Sequence, residues 1–336
     1  MLGSLSLFAL RASELESRSA FSVVSRESAL VLNNILLAVS AFVVFIGTIW
    51  PLIAELAFDR RVSVGPPFFD AAFTPFMIGL AIVLPLGALL PWKRAKLDKA
   101  ARPLWPILAF AFAIAALVWA IQSERSALAP LCAALGAWLV LGAITDLLQR
   151  AGRGAWPDRL RRIGRLPRAD QGKSIAHAGF GITIFGIGAL IAWEVQDVRV
   201  VQVGDRYDVG SYTVELTDVR RIQGPNYIST MADMTVSKNG TVLAVLNPEK
   251  RFYPVAAMPT TEAAIANGVF RDIYVVIGDP QPGGGWAVRA FVKPFANWIW
   301  AGAIIMSLGG VFSLSDRRLR VGAGARRKAA VEVPAQ

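Results

Sequence analysis

The stretch RAGRGAWPDRLRRIGRLPRADQGKSIAHAGFGITIFGIGALIAWEVQDVRVVQV, residues 150–203, decides the fold. It opens on a basic segment carrying Arg150, Arg153, Arg159, Arg161, Arg162, Arg165, Arg168 and Lys173. An uncharged apolar block follows from Ser174 to Trp193, and a bilayer core takes about 20 such residues to cross. At Glu194 the block ends, and Val198–Val203 reads as a β-strand. A cationic loop, a membrane helix and an extramembrane β-domain therefore follow one another.

The same pattern extends in both directions. Apolar blocks at 29–53, 71–90, 103–121 and 127–148 precede the block at 174–193, and one at 295–314 follows it. The chain is 54% hydrophobic and only 18% charged, with a mean hydropathy of +0.48, whereas a soluble domain carries about 25% charged residues.

Cations orient the spans. Arg11, Arg18 and Arg26 precede the first, and Lys93, Arg94, Lys96, Lys99 and Arg102 lie between the second and third. The segment quoted above joins the fourth and fifth, and Arg317, Arg318, Arg320, Arg326, Arg327 and Lys328 follow the sixth. The alternate loops are poor in Lys and Arg, so the positive-inside rule puts the basic segments in the cytosol. The net charge of +11 is thus read as membrane-orienting, with no nucleic-acid partner.

The expected fold class is a polytopic α-helical membrane protein with six transmembrane helices, N-in/C-in, and a small exported β-rich domain between helices 5 and 6. Its divisions are a cytosolic segment at 1–28, a five-helix bundle at 29–193, the exported domain at 194–293, a sixth helix at 294–314 and a basic cytosolic tail at 315–336. Residues 1–10 lack a leading cation and are followed by Arg11, which argues against a signal peptide. In the exported domain, strands are expected at 212–216, 234–237, 241–246, 273–277 and 286–292, besides 198–203. Asn239-Gly240 suits a type I′ hairpin turn, where both residues need positive φ. Residues 279–285, with Pro280, Pro282 and three consecutive glycines, read as a mobile loop.

The chain has one cysteine, Cys132, and one histidine, His177. An intrachain disulfide, a CxxC redox site and any site needing two histidines from one chain are excluded. No phosphate-cradling loop, paired carboxylates or Ser/His/Asp arrangement emerges, so the chain does not read as a self-sufficient enzyme.

His177 stands near the start of the fifth span. An ionisable side chain in a membrane helix usually faces a partner or a site, and a neutral imidazole is a good axial ligand for haem iron. His177, Gly181, Ile184 and Gly188 share a helical face, and the glycines would leave a trough for a flat macrocycle. In the other reading, the glycines allow helix packing and His177 hydrogen-bonds a neighbouring helix. Asn33 and Asn34 suggest cross-helix hydrogen bonds or a substrate contact. Arg60 and Arg61, in the first exported loop, suit either a carboxylate such as a haem propionate or a lipid phosphate.

Specific strings then carry a resemblance. VSRESALVLNN at 24–34, VSVGPPFFD at 62–70, SIAHAG at 174–179, GPNY at 224–227, PEKRFY at 248–253, TTEAAI at 260–265 and RDIYVVIG at 271–278 resemble the CcmF family, as does the run from WIWAG at 298–302 to DRR at 316–318. These are membrane subunits of the bacterial cytochrome c haem lyase. The resemblance is to the family's C-terminal half only, and residues 1–10 then read as the end of a preceding helix.

The resemblance implies that His177 is one axial ligand of a haem b whose second ligand comes from a missing N-terminal half or equivalent chain. It also implies the bacterial inner (cytoplasmic) membrane, with residues 194–293 in the periplasm. The implied partners are that N-terminal half, a holo haem chaperone, apocytochrome c with CxxCH thiols, other cytochrome c maturation subunits and membrane lipid. The implied work is to position haem and apocytochrome for covalent attachment, while no catalytic residue is assigned. A haem or small-molecule transporter, or a structural partner without haem contact, stand as alternatives. A transporter predicts charged residues deep in the spans, and the apolar blocks carry almost none.

Overall fold

The computed structural model describes residues 2–11, 22–123 and 125–316. Arg18 and the cationic tail beyond Asp316 lie outside the described residues, so their place in the orientation argument rests on sequence. The chain divides into two compact units, residues 1–107 and 108–336, each considered by itself.

Helices α1 (Leu2–Arg11), α2 (Arg26–Phe58), α3 (Pro66–Leu89) and α4 (Leu97–Ala101) lie in the first unit. Ser25 caps α2 by accepting from the Ser28 amide at 3.2 Å, and Asp59 ends it in the left-handed region. Pro66 and Pro67 open α3, where a missing N–H costs nothing. Gly47 lets Phe68 and Phe69 lie against α2, since a Cβ there would meet their rings at 2.7–2.9 Å. Asn33 donates to Asn34 at 3.3 Å. Adjacent residues on one helix thus pair with each other rather than across helices.

The second unit holds α5 (Trp105–Ile121), which straddles the boundary, then α6 (Leu128–Arg150), α7 (Trp156–Ile163), α8 (Arg168–Trp193) and α9 (Ala296–Leu314). Among the described residues, six helical segments are long and apolar enough to cross a membrane: α2, α3, Leu97–Ile121, α6, α8 and α9. Several outrun their apolar blocks. Residues 168–173 continue α8 into polar sequence, because the Pro167 N-cap, and not hydropathy, sets its start.

Helix α8 is the hub, and small residues bring its backbone against both neighbours. A Cβ on Gly179 would lie 2.5 Å from Met306 N and 2.7 Å from Gly302 O on α9. On another face, a Cβ on Gly181 would lie 2.8 Å from Gly136 O on α6. Gly179→Ala therefore forces α8 and α9 apart, and overpacking of this kind costs about 1–3 kcal/mol. Thermal unfolding of the detergent-solubilised chain should show a lower Tm, with Gly283→Ala, whose Cβ meets nothing within 4 Å, as the neutral control.

The β-domain has ten strands: β1 (Val195–Val201), β2 (Arg206–Val209), β3 (Tyr212–Gln223), β4 (Ile228–Lys238), β5 (Thr241–Leu246), β6 (Glu249–Tyr253), β7 (Met258–Glu262), β8 (Ala264–Ala266), β9 (Arg271–Pro280) and β10 (Trp286–Pro294). One sheet runs β1-β10-β9-β8, and the other β2-β3-β4-β6-β7 with β5 on β4. Alternation along β3, β4, β9 and β10 buries Val214, Leu216, Met234, Val236, Val275, Ile277 and Val288 between the sheets. Asn239 and Gly240 take positive φ, as their turn requires. The expected loop at 279–285 is shorter: β9 runs through Pro280, and Gln281 and Gly285 close a turn with a 2.9 Å hydrogen bond.

Strands β1 and β10 pair antiparallel from Val195↔Val292, immediately beyond α8 and before α9. The packing of α8 on α9 thus passes without interruption into a β-ladder. Asn297 reinforces the junction by donating to Gly268 O and Asp272 Oδ1, both at 2.9 Å. Around it Phe295 meets Phe185, Phe270 and Trp298 edge to face, and Phe185 lies tilted on Trp298.

Candidate functional site

His177 lies nine residues along α8, about 14 Å from its start at 1.5 Å per residue. That is deeper than the start of the apolar block suggests. Its side chain is half-buried. No hydrogen bond to its ring occurs among the described residues, so the expected cross-helix bond is not formed. The trough proposed beside it is not free. Gly181 faces Gly136, Leu139 and Val140, and Gly188 faces Cys132, Ala129 and Ala133. Both glycines of the His177 face serve helix packing, so a macrocycle has no backbone trough there and would have to approach the imidazole itself.

Close to His177 is a group that the composition conceals. Asp146 on α6 is 2% exposed. Lys173 Nζ lies 2.7 Å from its Oδ2, Arg150 Nε donates to its Oδ1 at 3.0 Å, and Ser174 Oγ donates at 3.1 Å. Arg150 extends the network to Asp170 at 2.9 Å. The spans are therefore not free of charge, because Asp146 is a single acidic letter in an apolar block. An intramembrane carboxylate is itself a signal, but here it came without a visible partner, since Lys173 lies on another helix. Asp146 is four residues from the end of α6, about 6 Å. This is not the midplane charge that the transporter reading requires. Lys173 and Asp146 are near enough to act electrostatically on His177, one turn further along α8.

Arg60 and Arg61 are exposed in the first unit. Arg61 pairs with Glu55 at 3.4 Å in open solvent, a contact worth little. Next to them in sequence, Ile46, Trp50, Val64 and Phe68 line a cleft of about 630 Å³.

On the β-domain, two segments far apart in sequence meet. Thr261 of β7 and Asp279 and Gln281 at the end of β9 line one cleft of about 500 Å³, with Lys250, Tyr274, Arg289 and Phe291. Lys250 pairs with Asp279 across it. Tyr274 and Phe291 stack edge to face at 5.5 Å, and Lys293 lies over both rings. Nearby, Arg251 donates to Glu249 at 2.9 Å and holds its carboxyl below the usual carboxylate range against the cost of burial. The cleft offers aromatic surface and cations to a partner, with no thiol or imidazole for catalysis. Lys250 reaches the cleft because β6 pairs with β7, which sets it opposite Thr261.

Comparison with known proteins bears on both places. The family described as "CcmF C-terminal beta-sandwich" matches residues 192–294. The chain is 58% identical to the cytochrome c-type biogenesis protein ccl1 of Rhodobacter capsulatus, over 97% of this chain and 49% of that protein. It is 36% identical to the cytochrome c-type biogenesis protein CcmF of Pseudomonas aeruginosa, over 99% of this chain and 50% of that one. A solved structure titled "Cytochrome c Heme Lyase CcmF" superposes with a TM-score of 0.65 at 22% identity, covering 88% of this chain and 46% of that one. At that identity the likeness concerns the fold. The chain spans about half the length of the curated relatives it matches.

Proposed function

The chain is a member of the CcmF family, and we propose from that premise that it is the C-terminal part of a cytochrome c haem lyase in a bacterial inner membrane. The observation that carries this reading is His177: a half-buried imidazole in an apolar span, with no hydrogen-bond partner among the described residues.

These residues fit a haem as half a site. An imidazole with no hydrogen-bond partner among the described residues keeps a nitrogen available to iron, and with a single histidine in the chain, bis-histidine ligation would take its second imidazole from elsewhere. The bound haem b would supply an iron that cycles between ferrous and ferric states. His177 would hold that iron from α8. Thioether formation joins a thiol to a vinyl group, so the protein's contribution is chiefly orientation.

In this reading both termini are cytosolic and residues 194–293 are periplasmic. Alkaline phosphatase fused at Gly240 should then be active, and fused at Arg159 inactive. The reverse pattern would overturn the orientation and the lyase reading with it.

The cleft around Thr261 and Gln281 is proposed to dock apocytochrome c or another maturation subunit, its cations and rings meeting an acidic or aromatic segment. A photocrosslinker at Gln281 should yield adducts with maturation proteins or apocytochrome, while one at Gly240 should not. Adducts with lipid alone would remove the docking role.

A further inference from the structure

The connection between α6 and α8 contains a short helix with no role in the haem reading. Trp156, Leu160 and Ile163 of α7 fall on one face, at the spacing of neighbouring turns. Trp156 is 61% exposed and Leu160 62%, while Ile163 is half-buried, so among the described residues most of the stripe is left uncovered. Around it, Arg153, Arg161, Arg162, Arg165 and Arg168 are exposed, opposed locally by Asp158.

The stripe is held in place from both sides. Arg159 stacks on Trp156 at 5.0 Å and donates to Leu148 O, in the last turn of α6, at 3.0 Å. Gln171 of α8 donates to Ile163 O at 3.1 Å and to Leu166 O at 2.9 Å. Since α6 ends at Arg150 and α8 begins at Arg168, α7 is fixed at the ends of two membrane-capable helices. A water-facing loop would gain nothing from presenting Trp and Leu together.

We propose that α7 is an interfacial helix: its apolar stripe lies among acyl chains, and the arginines beside it bind the phosphates of anionic lipid headgroups. The chemistry is that of a short amphipathic element, with aromatic and aliphatic groups below and guanidiniums at phosphate depth. The spacing of helix ends and charges makes the assignment independent of which leaflet it occupies and of the haem reading. The occupant is a lipid surface and not a free phosphate ion, because a free ion would leave Trp156 and Leu160 in water.

The test uses the full chain with Cys132→Ala and Leu160→Cys, nitroxide-labelled at 160. It is reconstituted in nanodiscs of phosphatidylcholine with or without phosphatidylglycerol. The label should be more accessible to oxygen than to a water-soluble nickel chelate, and the chain should retain phosphatidylglycerol over phosphatidylcholine. Arg161→Glu/Arg165→Glu changes two exposed side chains and should cut that preference by about tenfold or more, since each cation near an anionic surface contributes about 1 kcal/mol. Added inorganic phosphate should not compete. A label at 160 open to the nickel chelate in phosphatidylglycerol discs would overturn the proposal. So would a label shielded from both reagents, which would mark a protein contact, or lipid immersion with no headgroup preference.

Discussion

Asp146→Leu should lower the stability of the helix bundle by about 3–5 kcal/mol, the usual cost of breaking a buried ion pair by removing one partner. Lys173 Nζ and Arg150 Nε both use the carboxylate, whose side chain is 3% exposed. Its loss takes from Lys173, whose side chain is 22% exposed, the carboxylate that lies 2.7 Å from its Nζ. The damage therefore comes from breaking the ion pairs that the carboxylate makes with Lys173 and Arg150. Asp146→Leu/Lys173→Met removes both charges at similar volume and should recover most of the loss, because a well-packed apolar pair often replaces a buried ion pair at no cost. Thermal unfolding of the solubilised chain reads both effects. An unchanged Tm in the single variant would show that the network carries no stability. A double variant as unstable as the single would assign the effect to packing instead of charge.

Much of this architecture was legible in the sequence, for reasons that particular residues make plain. Hydrophobic blocks of membrane length are bounded by cations, so six spans followed from counting, and the structure has helices on all six. A run rich in β-formers located β5 at Thr241–Leu246, and Asn239-Gly240 located its turn. Helix ends were less legible. The first turns of α8 are polar yet helical, because Pro167 sets the start while hydropathy registers only the bilayer. Strands β6 and β7 were missed, since Glu249–Tyr253 and Met258–Glu262 have mostly half-exposed side chains and no clean period.

The site was legible in part. A lone histidine in a membrane span is conspicuous, but the use of its neighbouring glycines is not. Gly181 and Gly188 read equally as a trough for a ligand or a seat for a helix, and only the position of α6 decides for the helix. Asp146 was overlooked because its value lies in Lys173, which is distant in sequence and adjacent in space.

The second large effect is on haem. In a complex assembled with the N-terminal half of a CcmF-family protein, His177→Ala should abolish or greatly weaken b-haem retention. His177→Gly should do the same and be partly rescued by added imidazole, which can enter the vacated volume and supply the same nitrogen. A histidine that merely packs would show no rescue. Haem content by pyridine haemochrome and the reduced-minus-oxidised spectrum report the result. Full haem content and an unchanged spectrum in His177→Ala would place both ligands outside this chain.

The most direct measurement exploits the single histidine of the sequence. Expressed with ¹⁵N-histidine and assembled with an unlabelled partner half, the chain carries the label at His177 alone. Pulsed EPR of the ferric low-spin haem should then show a directly coordinated ¹⁵N that is absent from the unlabelled complex. A ferric haem spectrum with no ¹⁵N coupling, in a complex that retains its haem, would contradict the assignment of His177 as an axial ligand and with it the half-site account of this chain.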